Sequence, residues 1–594
     1  MKLVLNKEQK AVVNETEGLI SVVAGPGSGK TKTLIERAKS ILTKNLCYQN
    51  EILLITFTNK VRHEIVERLE LEIPNNKIQV HTFHSYAIEI IKKYAYSIGL
   101  TSKLKIIESS DIKILLEEAY LNLFSKNSNF NTHFDYDELI NSEKIKYTNR
   151  CSNLNESKLI DEFLKIKLEH NYTTYDDLID YLIKILKTDC GKEITDGIKY
   201  LMVDECQDLN DEQYGIIQLF EENQLKNILL VGDIDQSIYA WRGAKPELFN
   251  SFRDKSHQLH LITNYRSKKD IVDCSQKLIK NNKDRIDIDF NVKDKDKGHV
   301  VINSFEDRLT QASEIVKYIA DKKVYLKSKI AILFRANYLA HDFINCLYQY
   351  NIPFNNFNDV EFYTKKEIKD VLCLLRLISD KNDLIAWRYV LQNANCLIKD
   401  DYIDLKNISG NDIFEQMCNY IEINNLSEIN KRIITKLISS IQFVIKNEDD
   451  VKVIDQIVYL LKTNDYKKRV WKSNDELINN VQVFLAEIED AEDHGIKIED
   501  FLINLGMGDY SSNEKTHDNS NVDLLTIHSS KGLEYDHVFV VDVNNDVLPH
   551  KRTNDLEEER RLLYVAITRA KDKLNVSYVS NSKARASVFI QEII

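Results

Sequence analysis

Between Leu19 and Thr31 the chain reads LISVVAGPGSGKT, and this stretch decides the fold. Its first half is a mainly apolar run, typical of a strand covered on both faces. The glycines of the second half let backbone N–H groups approach phosphate oxygens without a clash with a Cβ atom. Apolar residues at helical spacing follow from Leu34 to Leu42. The order of strand, glycine-rich loop and helix predicts a phosphate-binding loop, because a helix N-terminus offers free N–H donors and a favourable dipole.

The residue types in this loop suit a nucleotide bound with a metal ion. Lys30 is expected to hold the terminal phosphates, and the hydroxyl of Thr31 is expected to ligate Mg²⁺. The backbone of the preceding residues is expected to surround the phosphates. These residues are Ala24, Gly25, Gly27, Ser28 and Gly29.

The composition places the chain among globular proteins of several domains. Its 594 residues are too many for one core and indicate about three or four domains. No apolar run is long enough to span a bilayer. The nine cysteines form no C-x-x-C pair, which predicts reduced thiols and a cytoplasmic setting. The net charge of −12 does not by itself indicate a nucleic-acid binder, although a local groove can still be basic.

Two groups of short β-rich segments predict two α/β sheets of the doubly wound, parallel kind. In the first sheet, the ligand is expected at the carboxyl ends of the strands. The first group is 19–24, 52–56, 200–204, 228–232 and 258–262, and the second is 300–305, 330–334, 524–528, 538–542 and 574–578. Helices are predicted over 310–320 and 556–570. Long stretches with a helical pattern interrupt both groups. The charged stretch from Asn281 to Gly298 is predicted to be a solvated connector.

Two adjacent carboxylates, Asp204 and Glu205, end the apolar strand 200–204. A pair at a strand end suits a metal ligand beside a general base. Asp204 is expected to bind Mg²⁺, and Glu205 is expected to orient and deprotonate an attacking water molecule.

Seven ordered segments give the chain a specific resemblance. They are LNKEQ (5–9), TFTNK (56–60), DECQD (204–208), GDIDQSIYAWRGA (232–244), NYRS (264–267), TIHSSKGLEY (526–535) and ERRLLYVAITRA (559–570). On these motifs the chain resembles the superfamily 1A DNA helicases of the UvrD/Rep/PcrA type, from residue 5 to about residue 580. The resemblance implies two RecA-like domains, 1A (1–86 and 200–265) and 2A (266–379 and 521–594). It also implies a mainly helical insertion in each, 1B (87–199) and 2B (380–520).

The same resemblance implies ATP as the nucleotide and assigns roles around it. Gln9 is expected to read the adenine, Tyr265 to stack on it, and Glu534 to contact the ribose. Gln236 is expected to sense the γ-phosphate. Arg266 and Arg569 are expected to neutralise charge on the transferring phosphoryl group, a contribution worth about 10³–10⁵ in rate for an arginine finger. Lys32 stands beside the loop where the family often has arginine.

Aromatic and basic residues predict where single-stranded DNA binds. Non-specific single-strand binders combine cations with aromatic faces on which bases stack. Such residues lie in and around the segment that contains Gln236, so a stacked base would be close in sequence to the phosphate sensor. The predicted DNA contacts are Phe57, Asn59, Thr82, His84, Tyr239, Trp241, Arg242 and His528.

The function expected from this resemblance is an ATP-dependent 3′→5′ DNA translocase and helicase that works on single-stranded DNA and on junctions with duplex. DNA repair, replication restart or recombination is the expected setting. Two alternatives stay open. One is a DNA-stimulated ATPase that strips proteins from DNA, and the other is a subunit of a complex with a repair or phage-defence nuclease.

Overall fold

A computed structural model describes residues 5–73, 75–101, 103–123, 154–356, 363, 365–393, 409–423, 428–447, 451–506, 520–582 and 584–594. The chain divides into two compact units. The first comprises Met1–Ser102, Leu178–Asp359 and Asn513–Ile594, and the second comprises Lys103–Asp177 and Val360–Ser512. In the described part of the chain, no helix is both long enough and apolar enough to cross a membrane.

The first unit contains two six-stranded sheets, and all their strand pairs are parallel. The first sheet runs, in spatial order, Gln79–His81, Ile52–Ile55, Tyr200–Val203, Asn227–Gly232, Leu19–Ala24 and His257–Leu261. The second runs His299–Phe305, Ala570–Val579, Tyr535–Val540, Ile330–Phe334, Val522–Thr526 and Asn355–Asn356. The predicted α/β class with two parallel sheets is confirmed.

Helices pack beside these sheets and bury the apolar strands. They are Lys7–Asn14, Lys30–Thr43, Asn59–Glu72, Phe83–Tyr94, Tyr175–Leu186, Asp189–Asp196, Asp211–Glu222, Pro246–Asp254, Lys269–Ile279, Arg308–Asp321, His341–Gln349, Leu556–Ile567 and Val588–Ile593. Every residue of Ile52–Ile55, Tyr200–Val203 and Ile330–Phe334 is buried, as expected of strands covered on both faces. A short parallel pair, Thr263–Asn264 with Asn291–Val292, lies outside the two sheets.

The second unit is mainly helical. Its helices are Ser109–Leu123, Leu154–Glu169, Lys366–Ser379, Leu384–Asn393, Ile413–Ile423, Glu428–Lys446, Val453–Thr463, Tyr466–Arg469, Asp475–Asp493 and Ile498–Gly506. One two-stranded pair, Lys105–Ile106 with Tyr172–Thr173, accompanies them. The apolar core of the unit includes Trp387, Phe484 and Leu460, each fully buried.

A charge network ties together distant parts of the second unit. The guanidinium of Arg376 donates to Asp111 Oδ2 at 3.0 Å and to both oxygens of Asp383 at 2.8 and 3.1 Å. The hydroxyl of Tyr172 donates to Asp383 at 3.1 Å. These side chains are nearly enclosed, so each charge depends on its partners for the solvation that water would supply.

Replacing Arg376 by alanine is expected to destabilise the protein by about 3–5 kcal/mol. The buried carboxylate of Asp383 loses the guanidinium that it pairs with, and that of Asp111 loses the nearer of two cations, because Lys369 lies at 3.6 Å. The midpoint of thermal unfolding of the full chain measures this loss. Lys452→Ala is the matched control, since Lys452 pairs with Asp493 in an exposed ion pair of the same unit. Equal midpoints for both variants would contradict a structural role for the Arg376 network.

Candidate nucleotide site and aromatic cluster

The loop that follows strand Leu19–Ala24 has the backbone that phosphate binding requires. Gly27 and Gly29 have φ angles of 65° and 81°, in the left-handed region that glycine enters without strain. The helix Lys30–Thr43 begins directly after Gly29, and no side chain in the described part of the chain caps it. Its first N–H groups are therefore available to an anion, and the helix dipole favours one.

Gln9 lies against this loop. Its side-chain Nε2 donates to the carbonyl oxygen of Ser28 at 3.1 Å, and its Oε1 accepts from the N–H of Asn6 at 3.1 Å. The side chain is buried and fixed from both ends. The structure thus brings the predicted adenine reader to the phosphate loop, and its contact with adenine stays a prediction.

Both predicted acidic residues follow strand Tyr200–Val203 and face the loop lysine. Lys30 Nζ lies 3.4 Å from Glu205 Oε1. Asp204 is buried, and one of its oxygens accepts from the N–H of Glu205 at 2.9 Å. Glu205 has a φ of 54°, an unusual conformation for a side-chain-bearing residue and one that concentrates at functional sites. Gln207 donates to the other Glu205 oxygen at 2.5 Å.

The surroundings drive the pKa values of these two carboxyls apart. Burial, and then the charge of Glu205, raises the pKa of Asp204. Burial alone would also raise the pKa of Glu205, but the charges of Lys30 and Lys531 outweigh it and lower that pKa. Two neighbouring carboxyls with divergent pKa values are typical of a site where one residue acts as a base and the other needs a cation to ionise.

The donor set fits a magnesium ion held together with phosphate. Among the described residues, no group of three or more His, Cys, Asp or Glu side chains forms a metal cage. Mg²⁺ commonly binds through one or two carboxylates and the substrate's phosphates, and it prefers oxygen ligands. Asp204 and the hydroxyl of Thr31, which follows Lys30 on the same loop, supply such oxygens. When bound, the ion would neutralise charge on the phosphates.

The predicted residues of the second sheet meet at the amino ends of two adjacent strands. Glu534 precedes strand Tyr535–Val540, and Arg569 precedes strand Ala570–Val579. The N–H of Tyr535 donates to the carbonyl oxygen of Arg569 at 2.9 Å. Arg266 joins them, because its Nε donates to Glu534 Oε2 at 3.0 Å and its Nη1 donates to the carbonyl oxygen of Thr568 at 3.2 Å.

Gln236 connects this second set to the first sheet. It follows strand Asn227–Gly232, and its Nε2 donates to Asp233 at 2.6 Å. Its Oε1 accepts from Arg569 Nη2 at 3.1 Å. Burial, and then the charge of Arg266, lowers the pKa of Arg569 to about 9. This pKa is still above neutral pH, so the guanidinium stays cationic. The predicted phosphate sensor and the predicted arginine finger are thus in direct contact, although 333 positions separate them.

Arg266 and Tyr265 also reach the phosphate loop. The N–H of Tyr265 donates to the carbonyl oxygen of Gly27 at 2.9 Å, and its ring is 43% exposed. A Cβ atom added to Gly27 would lie 2.6 Å from Arg266 Cβ, so only glycine fits this approach. Lys32 lies on the first turn of the following helix and is half-buried. Stacking of Tyr265 on adenine and contact of Lys32 with the nucleotide stay predictions.

Five of the predicted DNA contacts form one aromatic cluster: Phe57, Tyr239, Trp241, Arg242 and His528. The rings of Phe57 and Tyr239 are stacked with centroids 5.3 Å apart. The Trp241 and His528 rings meet edge to face at 6.3 Å, and the Arg242 guanidinium lies 4.6 Å from the Trp241 ring centroid. Trp241 is 64% exposed and Tyr239 only 8%, so Trp241 offers the open face.

His528 contributes to this aromatic cluster as a neutral ring. Burial, and then the charges of Arg335 and Arg242, lowers its pKa to about 4. At neutral pH the imidazole is therefore uncharged and can present a flat face, while Arg242 supplies positive charge. That combination is what sequence-tolerant binding to single strands uses.

The other three predicted DNA contacts lie at the carboxyl ends of neighbouring strands. Asn59 begins the helix that follows strand Ile52–Ile55. Thr82 is buried and caps the helix Phe83–Tyr94, where its Oγ1 accepts from the N–H of Ser85 at 3.2 Å. His84 lies on the first turn of that helix and is half-buried. The structure assigns Thr82 a capping role, and all three DNA contacts stay predictions.

Sequence reasoning missed three cations in this region. Lys531 pairs with Asp208, donates to the carbonyl oxygen of Gln236 at 2.8 Å and lies 5.1 Å from the Tyr239 ring centroid. Lys531 lies within the motif TIHSSKGLEY, so its membership of that motif could have marked it as a site residue. Arg561 donates to the carbonyl oxygen of Ser237 at 2.8 Å.

The third missed cation is Arg285, in the stretch predicted to be a solvated connector. That prediction is wrong at this residue, whose side chain is only 7% exposed. Arg285 Nη2 lies 3.1 Å from Asp235 Oδ2, beside Gln236. A stretch of alternating charges predicts exposed side chains only when no ionic partner lies elsewhere in the chain. Here the partner of Arg285 is Asp235, 50 positions earlier in the sequence.

Comparison with known families agrees with this geometry. Residues 5–257 match the model of the UvrD/REP helicase N-terminal domain, and residues 259–581 match that of the UvrD-like helicase C-terminal domain. The chain belongs to the UvrD-like helicase family. The resemblance inferred from the seven motifs is thereby confirmed.

Individual UvrD-like relatives are similar over nearly the whole chain. The probable DNA helicase II homolog of Mycoplasma capricolum is 30% identical, over 99% of this chain and 87% of the relative. The ATP-dependent DNA helicase PcrA of Staphylococcus epidermidis is 28% identical, over 98% of this chain and 84% of the relative. PcrA of Staphylococcus aureus is also 28% identical, over 97% and 83%.

Proposed function

We propose that this chain is an ATP-dependent DNA helicase and translocase that moves 3′→5′ on single-stranded DNA and opens duplex at junctions. One observation carries the proposal: Arg569, from the second sheet, contacts Gln236, beside the phosphate loop of the first sheet, at 3.1 Å. A nucleotide held there would touch both sheets. Hydrolysis would therefore change how the two sheets fit together, which is the requirement for a motor.

The chemistry proposed for the pocket is phosphoryl transfer to water. Lys30 and the N–H groups of the loop hold the terminal phosphates. Glu205, which stays ionised at neutral pH, accepts hydrogen bonds from the attacking water and takes its proton as the phosphoryl group is transferred. Arg266 and Arg569 stabilise the charge that develops on the transferring group. Mg²⁺ would be held by Thr31 and Asp204. Gln9, Lys32, Tyr265 and Glu534 complete the proposed nucleotide contacts.

The proposed domain organisation is that of two RecA-like domains, 1–86 with 200–265 and 266–379 with 521–594, and two insertions, 87–199 and 380–520. The parallel sheets of the first unit support the RecA-like pair. We also propose a cytoplasmic setting, because the described cysteines are free thiols. The proposed setting is DNA repair, replication restart or recombination.

Forked duplexes with a single-stranded tail of one polarity test the activity. With ATP and Mg²⁺, we expect unwinding of the 3′-tailed duplex and little of the 5′-tailed one. Unwinding of the 5′-tailed duplex alone would contradict the polarity. ATP hydrolysis that DNA stimulates, without unwinding of either substrate, would instead favour a protein-stripping ATPase or a subunit that needs a nuclease partner.

Trp241→Ala is expected to weaken the grip on single-stranded DNA, because each lost base stack is worth about 1–3 kcal/mol. Stimulation of ATP turnover by oligo-dT should then require a higher DNA concentration, and unwinding should fall. Titration of turnover with oligo-dT measures the change. Tyr48→Ala is the control, since Tyr48 is an aromatic residue with 76% exposure outside the aromatic cluster. Equal titration curves for Trp241→Ala and the wild type would rule out the stacking role.

A further inference from the structure

The helix Leu556–Ile567 and the residues just past its end lie along the segment from Gln236 to Ala240 and are joined to it by a series of hydrogen bonds. Arg569, two residues past the helix end, donates to Gln236 Oε1 at 3.1 Å. Arg561 Nε donates to the carbonyl oxygen of Ser237 at 2.8 Å. Glu558 Oε1 accepts from the N–H of Ala240 at 2.9 Å. Two contacts from the helix and one from the residue just past its end thus span the segment from the phosphate sensor to the residue that precedes Trp241.

The contact with Ala240 is the one farthest from Gln236 along the segment. Glu558 and Arg561 are three positions apart, so they lie on the same face of the helix. Arg561 is buried and holds a carbonyl oxygen, whereas Glu558 is half-buried and holds an N–H group. Both partners are backbone atoms, so these two contacts fix the path of the chain rather than one side chain. The Trp241 ring is attached directly after the point that Glu558 holds.

We propose that Glu558 is a positioning residue that couples the nucleotide pocket to the aromatic cluster by holding the backbone at Ala240. When Arg569 shifts with the phosphate it contacts, the same helix would carry Ala240 and therefore Trp241 with it. Without the Glu558 contact, the helix would still reach Gln236, but the end of the segment that bears Trp241 would no longer follow. This inference rests on the proposed function, because it assigns a route between ATP and DNA.

Neighbouring glutamates provide a matched control. Glu557 differs from Glu558 by one position and carries the same charge near the same helix N-terminus. Its carboxylate accepts from the N–H groups of Lys283 and Asp284 at 3.0 and 3.3 Å and not from Ala240. Loss of either glutamate changes the helix dipole interaction equally, and only loss of Glu558 releases the segment before Trp241.

The test compares ATP turnover without DNA and with saturating oligo-dT, and ATP consumed per nucleotide translocated, in four proteins. For Glu558→Ala we expect turnover without DNA to stay at the wild-type level. The stimulation by DNA should fall roughly 2- to 30-fold, the range seen when residues on a coupling route are changed, and more ATP should be consumed per nucleotide. Glu558→Gln keeps an oxygen that can accept from Ala240 and should retain most of the stimulation. Glu557→Ala should behave as the wild type.

If Glu558→Ala showed the same stimulation by DNA and the same ATP consumption per nucleotide as the wild type, the inference would be overturned and the proposed function would stand. An equal loss in Glu558→Gln, Glu558→Ala and Glu557→Ala would also overturn it, because the effect would then come from charge and not from the hydrogen bond. A wild-type protein whose ATP turnover does not respond to DNA would overturn the proposed function and this inference with it.

Discussion

Replacing Lys30 by alanine is expected to reduce ATP hydrolysis by about 10²–10³-fold or more, as loss of a preorganised donor to developing charge does in other enzymes. Lys30 pairs with the predicted catalytic base, with Nζ 3.4 Å from Glu205 Oε1. Its loss removes the charge that binds the terminal phosphates. The measurement is steady-state release of phosphate with saturating single-stranded DNA.

Binding of single-stranded DNA to Lys30→Ala should survive, because the aromatic cluster does not include the loop. Fluorescence anisotropy of a labelled oligo-dT measures this binding. Lys39→Ala is the matched control, since Lys39 lies on the same helix and pairs with Glu36 at 2.9 Å away from the loop. Hydrolysis that is unchanged in Lys30→Ala, or lost equally in Lys39→Ala, would refute the assignment of the phosphate site.

Replacing Arg569 by alanine is expected to lower kcat by about 10³-fold or more, the magnitude associated with an arginine finger. The guanidinium is already oriented, because it donates to Val565, to Leu533 and to Gln236 at 3.0, 3.3 and 3.1 Å. Contacts made mainly in the transition state lower kcat and kcat/KM together and leave KM little changed. The dependence of turnover on ATP concentration separates these outcomes.

Two further variants make this prediction specific. Arg569→Lys keeps the charge but loses the planar fork that reaches several acceptors, so it should recover only part of the rate. Lys573→Ala, on the exposed side of the strand that follows Arg569, should match the wild type. If Arg569→Ala raised KM for ATP and left kcat intact, Arg569 would bind the ground state and the finger role would be wrong.

Strands covered on both faces could be predicted from sequence because burial leaves a continuous apolar run. Leu19–Ala24 and Ile330–Phe334 begin and end where the sequence predicts. The strand predicted at 538–542 lies instead at Tyr535–Val540. Its first residues include polar ones that give no apolar signal, yet Tyr535 pairs with Ala570 and, after a register shift, His537 pairs with Lys573. The edge strands Gln79–His81 and Asn355–Asn356 were missed, since short polar segments carry no apolar signal.

The candidate site could be predicted only in part, for a different reason. The phosphate loop and the Asp204–Glu205 pair are local patterns, so their residue types already indicate their chemistry. The contact between Gln236 and Arg569 joins residues far apart in the chain, and only the family resemblance placed them together. The Arg285 and Glu558 contacts lie outside any local signal, because their partners are a distant carboxylate and a backbone N–H group.

The rate of ATP hydrolysis by the wild-type chain, measured with and without single-stranded DNA, tests the central claim most directly. If one nucleotide is shared by both sheets and the aromatic cluster is linked to it, turnover should be low without DNA, rise steeply with oligo-dT and saturate. Turnover that oligo-dT leaves unchanged at any concentration would contradict that link.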